Sequence, residues 1–231
     1  MPIISVIIPV YNLGHYIKDT ITSVLDQQCE KLEIIVVDDG SHDDTAAILG
    51  SLGNAINYIK QDHKGAAAAR NTGVIQSKGE FLAFLDADDL WLPNKLTKQL
   101  NIMNSEPSVD MVFTLIEQFI SPELNTDHLQ TVNIKNKITP GYCASTMLIR
   151  KKTFLKVGNF NTEIKVGEFI AWFLKTKKLS LETSLIEEIL VKRRIHQQNT
   201  SSVHKNSRKD YLYLLNDFIQ HKKNQQKITT E

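Results

Sequence analysis

The chain has 231 residues, 42% of them hydrophobic and 23% charged, with a formal net charge of +1. That length suits one substantial domain, and the composition is that expected of a soluble globular protein. The near-neutral charge gives no global attraction for nucleic acid, and two cysteines, Cys29 and Cys143, imply no disulfide framework and fit a reducing compartment.

Ile3 to Ile8 is an apolar, largely β-branched run stopped by Pro9, which predicts a buried strand. The run is too short to span a bilayer and lacks the charged start and cleavage site of a secretory signal, and no other long apolar stretch occurs. A cytoplasmic location is expected, with any membrane contact peripheral. Ile17, Ile21, Val24 and Leu25 recur at helical spacing and predict a helix over 14–28. Leu32 to Val37 reads as a second strand ending in Asp38-Asp39-Gly40, with Ser41, Asp43 or Asp44 available to cap the next helix. A third strand is expected at Ile56 to Ile59, a helix at Ala66 to Ile75, and a fourth strand at Phe81 to Leu85 running into Asp86-Ala87-Asp88-Asp89. Pro93 suits the first turn of a helix that carries Leu96, Leu100 and Met103 on one face.

The second half is less regular. Met111 to Leu115 predicts a strand, whereas residues 117–140 are polar and read as a long loop. Ala144 to Ile149 is apolar, and Thr153 to Val157 reads as a helical turn closed by Gly158. A helix is expected at Phe169 to Leu174, a last strand at Leu185 to Val191, and an amphipathic helix from Tyr211 to Ile219 ahead of a polar tail. Basic residues gather at Lys175, Lys177, Lys178, Lys192, Arg193 and Arg194, which reads either as a solvated face or as a rim near phosphate or an anionic surface.

Alternating strands and helices predict an α/β fold with a mainly parallel sheet, ligands lying beyond the carboxyl ends of the strands. The polar clusters Tyr11-Asn12, Asp38-Asp39 and Asp86 to Asp89 fall at those ends. In an extended backbone Asp86 and Asp88 point to one side, where a hard cation held by substrate phosphates would relieve their repulsion; the plainer reading is that they end a strand. Alternation turns Asp89 away. Asp39 could accept the imide N–H of uracil, or Asp39-Gly40 could be turn chemistry alone. The chain has neither a Gly-x-Gly-x-x-Gly after a strand nor a phosphate-binding Gly-Lys loop, which weighs against dinucleotide oxidoreductases and P-loop kinases.

Ser5-Val6-Ile7-Ile8-Pro9-Val10-Tyr11-Asn12, Val36-Val37-Asp38-Asp39-Gly40-Ser41, Ala69-Arg70-Asn71-Thr72-Gly73 and Phe84-Leu85-Asp86-Ala87-Asp88-Asp89 occur in that order. Together they resemble the family 2 glycosyltransferases, densely over residues 3–105 and more thinly beyond. The resemblance implies a GT-A fold and a single domain: a nucleotide-sugar half (1–105), an acceptor and catalytic half (106–200), and a C-terminal helix and tail (201–231). It implies an inverting transfer of sugar from UDP-sugar to an acceptor hydroxyl, with Mn²⁺ or Mg²⁺ as cofactor. Pro9 and Tyr11 would line the base pocket together with Asp38 and Asp39, and Arg70 would lie near the nucleotide. Asp86 and Ala87 would face the ribose or sugar, and Asp88 would bind the metal. In Arg194-Ile195-His196-Gln197-Gln198-Asn199, Arg194 would neutralise phosphate and His196 would ligate the metal or touch the diphosphate. Glu168, in Gly167-Glu168-Phe169-Ile170-Ala171-Trp172, would be the catalytic base. Many relatives carry Glu-Asp at the first pair or an Asp before the Trp, where this chain has Phe169 and Ala171. That departure keeps open a nucleotide-sugar-binding protein without catalysis, and a nucleotidyltransferase is a more distant alternative. The acceptor, whether glycan, lipid-linked glycan, small molecule or peptide, is not specified by these motifs.

Overall fold

The computed structural model describes residues 4–29, 31–124, 137–197 and 199. In chain order it contains β1 (Ile4–Val10), α1 (Gly14–Leu25), β2 (Leu32–Asp38), α2 (Thr45–Ser51), β3 (Asn57–Lys60), α3 (Ala66–Gln76), β4 (Phe81–Phe84), β5 (Leu90–Trp91) and α4 (Lys95–Ser105). The second half adds β6 (Met111–Ile120), β7 (Ile138–Pro140), β8 (Leu148–Arg150), α5 (Lys151–Val157), α6 (Glu168–Lys178) and β9 (Thr183–Ile195). The helix expected from Tyr211 to Ile219 lies outside the described residues.

The strands form one mixed sheet in the order β3-β2-β1-β4-β8-β6-β9-β5, with β7 paired to β6. β3, β2, β1 and β4 run parallel, as the βα alternation requires, and β8 enters antiparallel beside β4. β1 is buried throughout because helices cover both its faces. Ile4, Val6, Ile8 and Val10 share a core with Ile17, Ile21 and Val24 of α1, while Ile7 points to the opposite core with Ala67 and Val74 of α3. Gly73 lets α3 come this close, since a Cβ there would fall 2.4 Å from Ile7 Cγ2.

Several boundaries depart from the expected ones. β1 runs through Pro9, which pairs with Val37 on one side. The β4 ladder has already ended at Ile7 on the other side, so the missing N–H of Pro9 interrupts no second ladder. α4 begins at Lys95 rather than at Pro93, with Asn94 left-handed at its N-cap. One of its first amides is served from a distance: Gln27 Oε1 accepts the Leu96 N–H at 3.2 Å, while Gln27 Nε2 donates to Leu92 O, ahead of the helix, at 2.9 Å. Of the three candidate caps for α2, Asp43 makes the contact, accepting the Thr45 and Gly14 N–H groups at 3.1 and 3.0 Å. The expected loop from 117 is strand as far as Ile120, because β6 pairs in parallel with β9 along its whole length.

Candidate active site

Three strand ends converge at one edge of the parallel half. The loops after β1 and β2 are laced together: Asn12 N–H donates to Ser41 Oγ (2.9 Å), and His42 N–H donates to Asn12 Oδ1 (2.8 Å). Asn12 takes a left-handed φ of 52°, which asparagine tolerates because its short side chain bonds locally. Tyr11 stands at the mouth of this seam, partly exposed.

Asp38 and Asp39 are both buried and both organise loops. Asp38 accepts the Ser41 N–H (2.8 Å) and the Tyr58 hydroxyl (2.9 Å), and burial together with this carboxylate pushes the Tyr58 phenol up to about 12. Asp39 gathers the 61–65 loop. Its Oδ1 accepts Gln61 Nε2 (2.7 Å) and Lys64 N–H (2.9 Å), while its Oδ2 accepts Gly65 N–H (2.7 Å) and lies 2.9 Å from His63 Nδ1. A carboxylate has about four lone-pair sites, and all are engaged here. The His63 ring stacks on Tyr11, with centroids 4.0 Å apart.

The Arg70-Asn71-Thr72-Gly73 stretch joins the two halves of the chain. Arg70 Nη1 donates to Glu168 Oε1 and Nη2 donates to Asp86 Oδ1, each at 2.6 Å. Burial opposes the charge on Arg70, but the Asp86 and Glu168 carboxylates more than offset this and hold it above its usual value. Its Nε is buried and has no partner among the described residues. Asn71 clasps the Phe160 backbone in both directions, at 2.9 and 3.0 Å, and Thr72 Oγ1 donates to Gln61 Oε1 at 2.7 Å. Glu168 is presented at the start of α6 by Gly167, whose φ of 90° favours glycine. Phe169 is buried in an aromatic cluster with Phe113, Phe160, Trp172 and Phe173.

The Asp86 to Asp89 segment is a turn rather than extended strand, closed by Asp89 N–H donating to Asp86 O at 3.0 Å. Strand alternation therefore does not set the direction of these side chains, and the acids diverge. Asp86 goes to Arg70 with 42% of its side chain exposed, and Asp88 goes to His196. Ala87 is buried in the core, and its carbonyl accepts the Thr20 hydroxyl at 2.8 Å. Asp89 is turned inward: Oδ1 accepts the Arg194 N–H (3.1 Å) and Oδ2 accepts the Ser145 hydroxyl (2.9 Å), whose oxygen also lies 3.2 Å from Asp86 N. Burial, then the neighbouring Asp88 and Asp86 carboxylates, push the Asp89 carboxyl well above its ordinary range. Asp89→Asn should therefore be mild, costing no more than about 1 kcal/mol, because the amide still accepts from Arg194. Asp89→Ala should cost about 2–4 kcal/mol by stranding two buried donors. Urea denaturation midpoints of the two variants check this.

Asp88 meets the end of β9. His196 Nε2 lies 2.8 Å from Asp88 Oδ2, Asn199 Nδ2 donates to the same oxygen at 3.2 Å, and Asn199 Oδ1 accepts the His196 N–H at 2.6 Å. Arg194 is buried, its guanidinium between the Tyr16 and Phe119 rings, with Nε donating to Asp88 O at 3.1 Å and Nη2 3.8 Å from Asp19. Among the described residues no group of three or more His, Cys, Asp or Glu side chains could hold a metal. The chain offers a pair, Asp88 Oδ2 and His196 Nε2. The two share a hydrogen bond at 2.8 Å, so an ion held between them would take the place of its proton. A two-donor set fits an ion completed by phosphate oxygens and water. Ser145, Asn199, Thr20 and His63 were not singled out by the sequence. Asn199 stood inside a quoted motif, whereas His63 is an isolated histidine.

The parallel half-sheet with an acid-bearing turn beyond β4, joined through the antiparallel strand β8 to a mixed second half, defines a glycosyltransferase fold of the GT-A type. Solved structures with this fold include TarS of S. aureus in complex with UDP-GlcNAc (TM-score 0.66, 22% identity, covering 87% of this chain and 61% of that one). Another is the mannosyltransferase PcManGT of Pyrobaculum calidifontis in complex with GDP-Man and Mn²⁺ (TM-score 0.64, 17% identity, 88% and 60% covered). The chain thus spans about three fifths of each of these. The family model Glycosyl transferase family 2 matches residues 5–166, and an uncharacterized glycosyltransferase of Rickettsia typhi is 32% identical, covering 94% of this chain and 72% of the relative. The chain belongs to glycosyl transferase family 2. No helix among the described residues is long and apolar enough to cross a membrane.

Proposed function

We propose that the chain transfers a sugar from a UDP-sugar to an acceptor hydroxyl, with inversion at the anomeric carbon and with help from Mn²⁺ or Mg²⁺. The observation that carries this reading is the single guanidinium of Arg70 gripping Asp86 on the donor side and Glu168 on the acceptor side, each at 2.6 Å. That bridge would set the Glu168 carboxylate beside the reacting sugar. Arg70 engages one oxygen of Glu168, and the other can take the proton of the acceptor hydroxyl. The acceptor oxygen then bonds to the anomeric carbon as the bond to the β-phosphate oxygen breaks, and the electron pair departs with UDP. Attack from the face opposite UDP inverts the centre.

Asp88 and His196 would hold the metal, which acts when bound as a Lewis acid towards the diphosphate. Arg194, held between Tyr16 and Phe119 with its Nε on Asp88 O, would neutralise phosphate beside the metal. Tyr11 and Asp39 would take the base, stacking on it and accepting its imide N–H, with Asp38 and Pro9 bracing that wall. The UDP-GlcNAc bound to TarS and the Mn²⁺ bound to PcManGT support donor and metal by analogy of fold.

Calorimetric titration should give UDP an affinity at least about tenfold above those of ADP and GDP, as one directed hydrogen bond to a buried acceptor allows. Equal affinities would remove the uracil reading. The rival, nucleotide-sugar binding without transfer, draws on Phe169. A metal-supplemented assay for UDP released from a panel of UDP-sugars separates the two, because a pure binding protein releases none.

A further inference from the structure

We propose that the His63 imidazole sits where the uracil ring of the donor binds, so that the donor enters by displacing it. The inference rests on the base-site reading above and adds to it a determinant of donor affinity. His63 makes both contacts that a uracil would make. Its ring lies on Tyr11, with centroids 4.0 Å apart and planes 28° from parallel. Its Nδ1 is 2.9 Å from Asp39 Oδ2 and 3.1 Å from Asp39 O. Both neighbours are acceptors, so Nδ1 carries the proton. A flat ring on a tyrosine, with one N–H aimed at a buried aspartate, describes the imidazole and the uracil equally.

The surroundings suit an exchange. Three other donors, Gln61 Nε2, Lys64 N–H and Gly65 N–H, stay on the Asp39 carboxylate when the ring leaves, so the acceptor keeps its place. The His63 side chain is 54% exposed, whereas that of Asp39 is 3% exposed, so the imidazole can rotate outward while Asp39 stays fixed. Gly40 seats the loop: at φ 81° it passes beneath His63, and a Cβ there would lie 3.1 Å from His63 N. The loop is built to bring this ring onto Tyr11. A donor must first break these contacts, so its apparent affinity is lowered by the share of molecules with the ring in place.

The test is a thermodynamic cycle on UDP binding, using the wild type, His63→Ala, Tyr11→Ala and the double variant. His63→Ala should bind UDP about three- to tenfold more tightly, the worth of a net hydrogen bond plus a ring contact at a half-exposed site. Tyr11→Ala should weaken UDP binding more in the His63→Ala background, because in the wild type it also loosens the displaced ring. His63→Asn, which can still reach Asp39 but has no ring, should fall between wild type and His63→Ala and guards against loss of the loop. Unchanged or weaker binding by both His63 variants, with Tyr11→Ala costing the same in either background, overturns the displacement and leaves the base site standing. A Tyr11→Ala substitution without effect in either background overturns both.

Discussion

Glu168→Gln is expected to lower turnover by at least about a hundredfold while leaving UDP affinity nearly unchanged. Glutamine keeps the size of the side chain and a carbonyl oxygen to accept from Arg70, so the bridge to Asp86 persists in outline; what disappears is the capacity to take a proton. The competing explanation is that an acid at this position serves the start of α6, where the helix dipole favours negative charge. In the structure no side-chain hydrogen bond caps that helix, and the carboxylate reaches across to Arg70 instead. Single-turnover measurements with saturating donor separate chemistry from product release. Near-normal turnover with a lowered melting temperature would make Glu168 a strut for Arg70 and leave the base to be found elsewhere.

The second large effect is expected at Asp88. Asp88→Asn should abolish most of the gain in UDP affinity that Mn²⁺ or Mg²⁺ provides, because the amide retains the contacts to His196 and Asn199 but carries no charge. In the wild type the metal should tighten UDP binding by about tenfold or more, and chelator should remove that increment. His196→Ala should act in the same direction, whereas Asp89→Asn should leave the metal response intact. Donor hydrolysis that proceeds equally well in chelator would refute the metal assignment.

The first half of the fold was legible because β1, β4 and most of β2 are buried on both faces, with helices between them. Ile4 to Val10 and Ile34 to Val37 have no polar alternation to obscure them. The second half was hidden for a physical reason. β5 has two residues and β8 three, too few for any period, and β6 pairs with β9 across some seventy intervening residues. The candidate site divides the same way. Asp86, Asp88 and Arg70 stood out by motif, but the contact between Arg70 and Glu168 spans 98 positions and that between Asp88 and His196 spans 108. The direction of Asp89 was right for the wrong reason, since a turn and not a strand sends it inward.

The order of strands limits how this chain could be recombined with its relatives. The turn that carries Asp86 to Asp89 is bracketed by β4 and β5, and these border β8 and β9 from the far half of the chain. A chimera joined between α4 and β6 would lay a foreign β8 against Leu82 and Ala83 and a foreign β9 against Leu90 and Trp91. It would also have to supply a hydroxyl at Ser145, a backbone amide at Arg194 for Asp89, and a carboxylate at Glu168 for Arg70. An exchange of sequence with a relative is therefore better confined to the segment between the end of β6 and the start of β7, which leaves Ser145 and β8 in place. There a new sequence can be exchanged without touching the ladder beside β4 or the side chains that hold the acid-bearing turn.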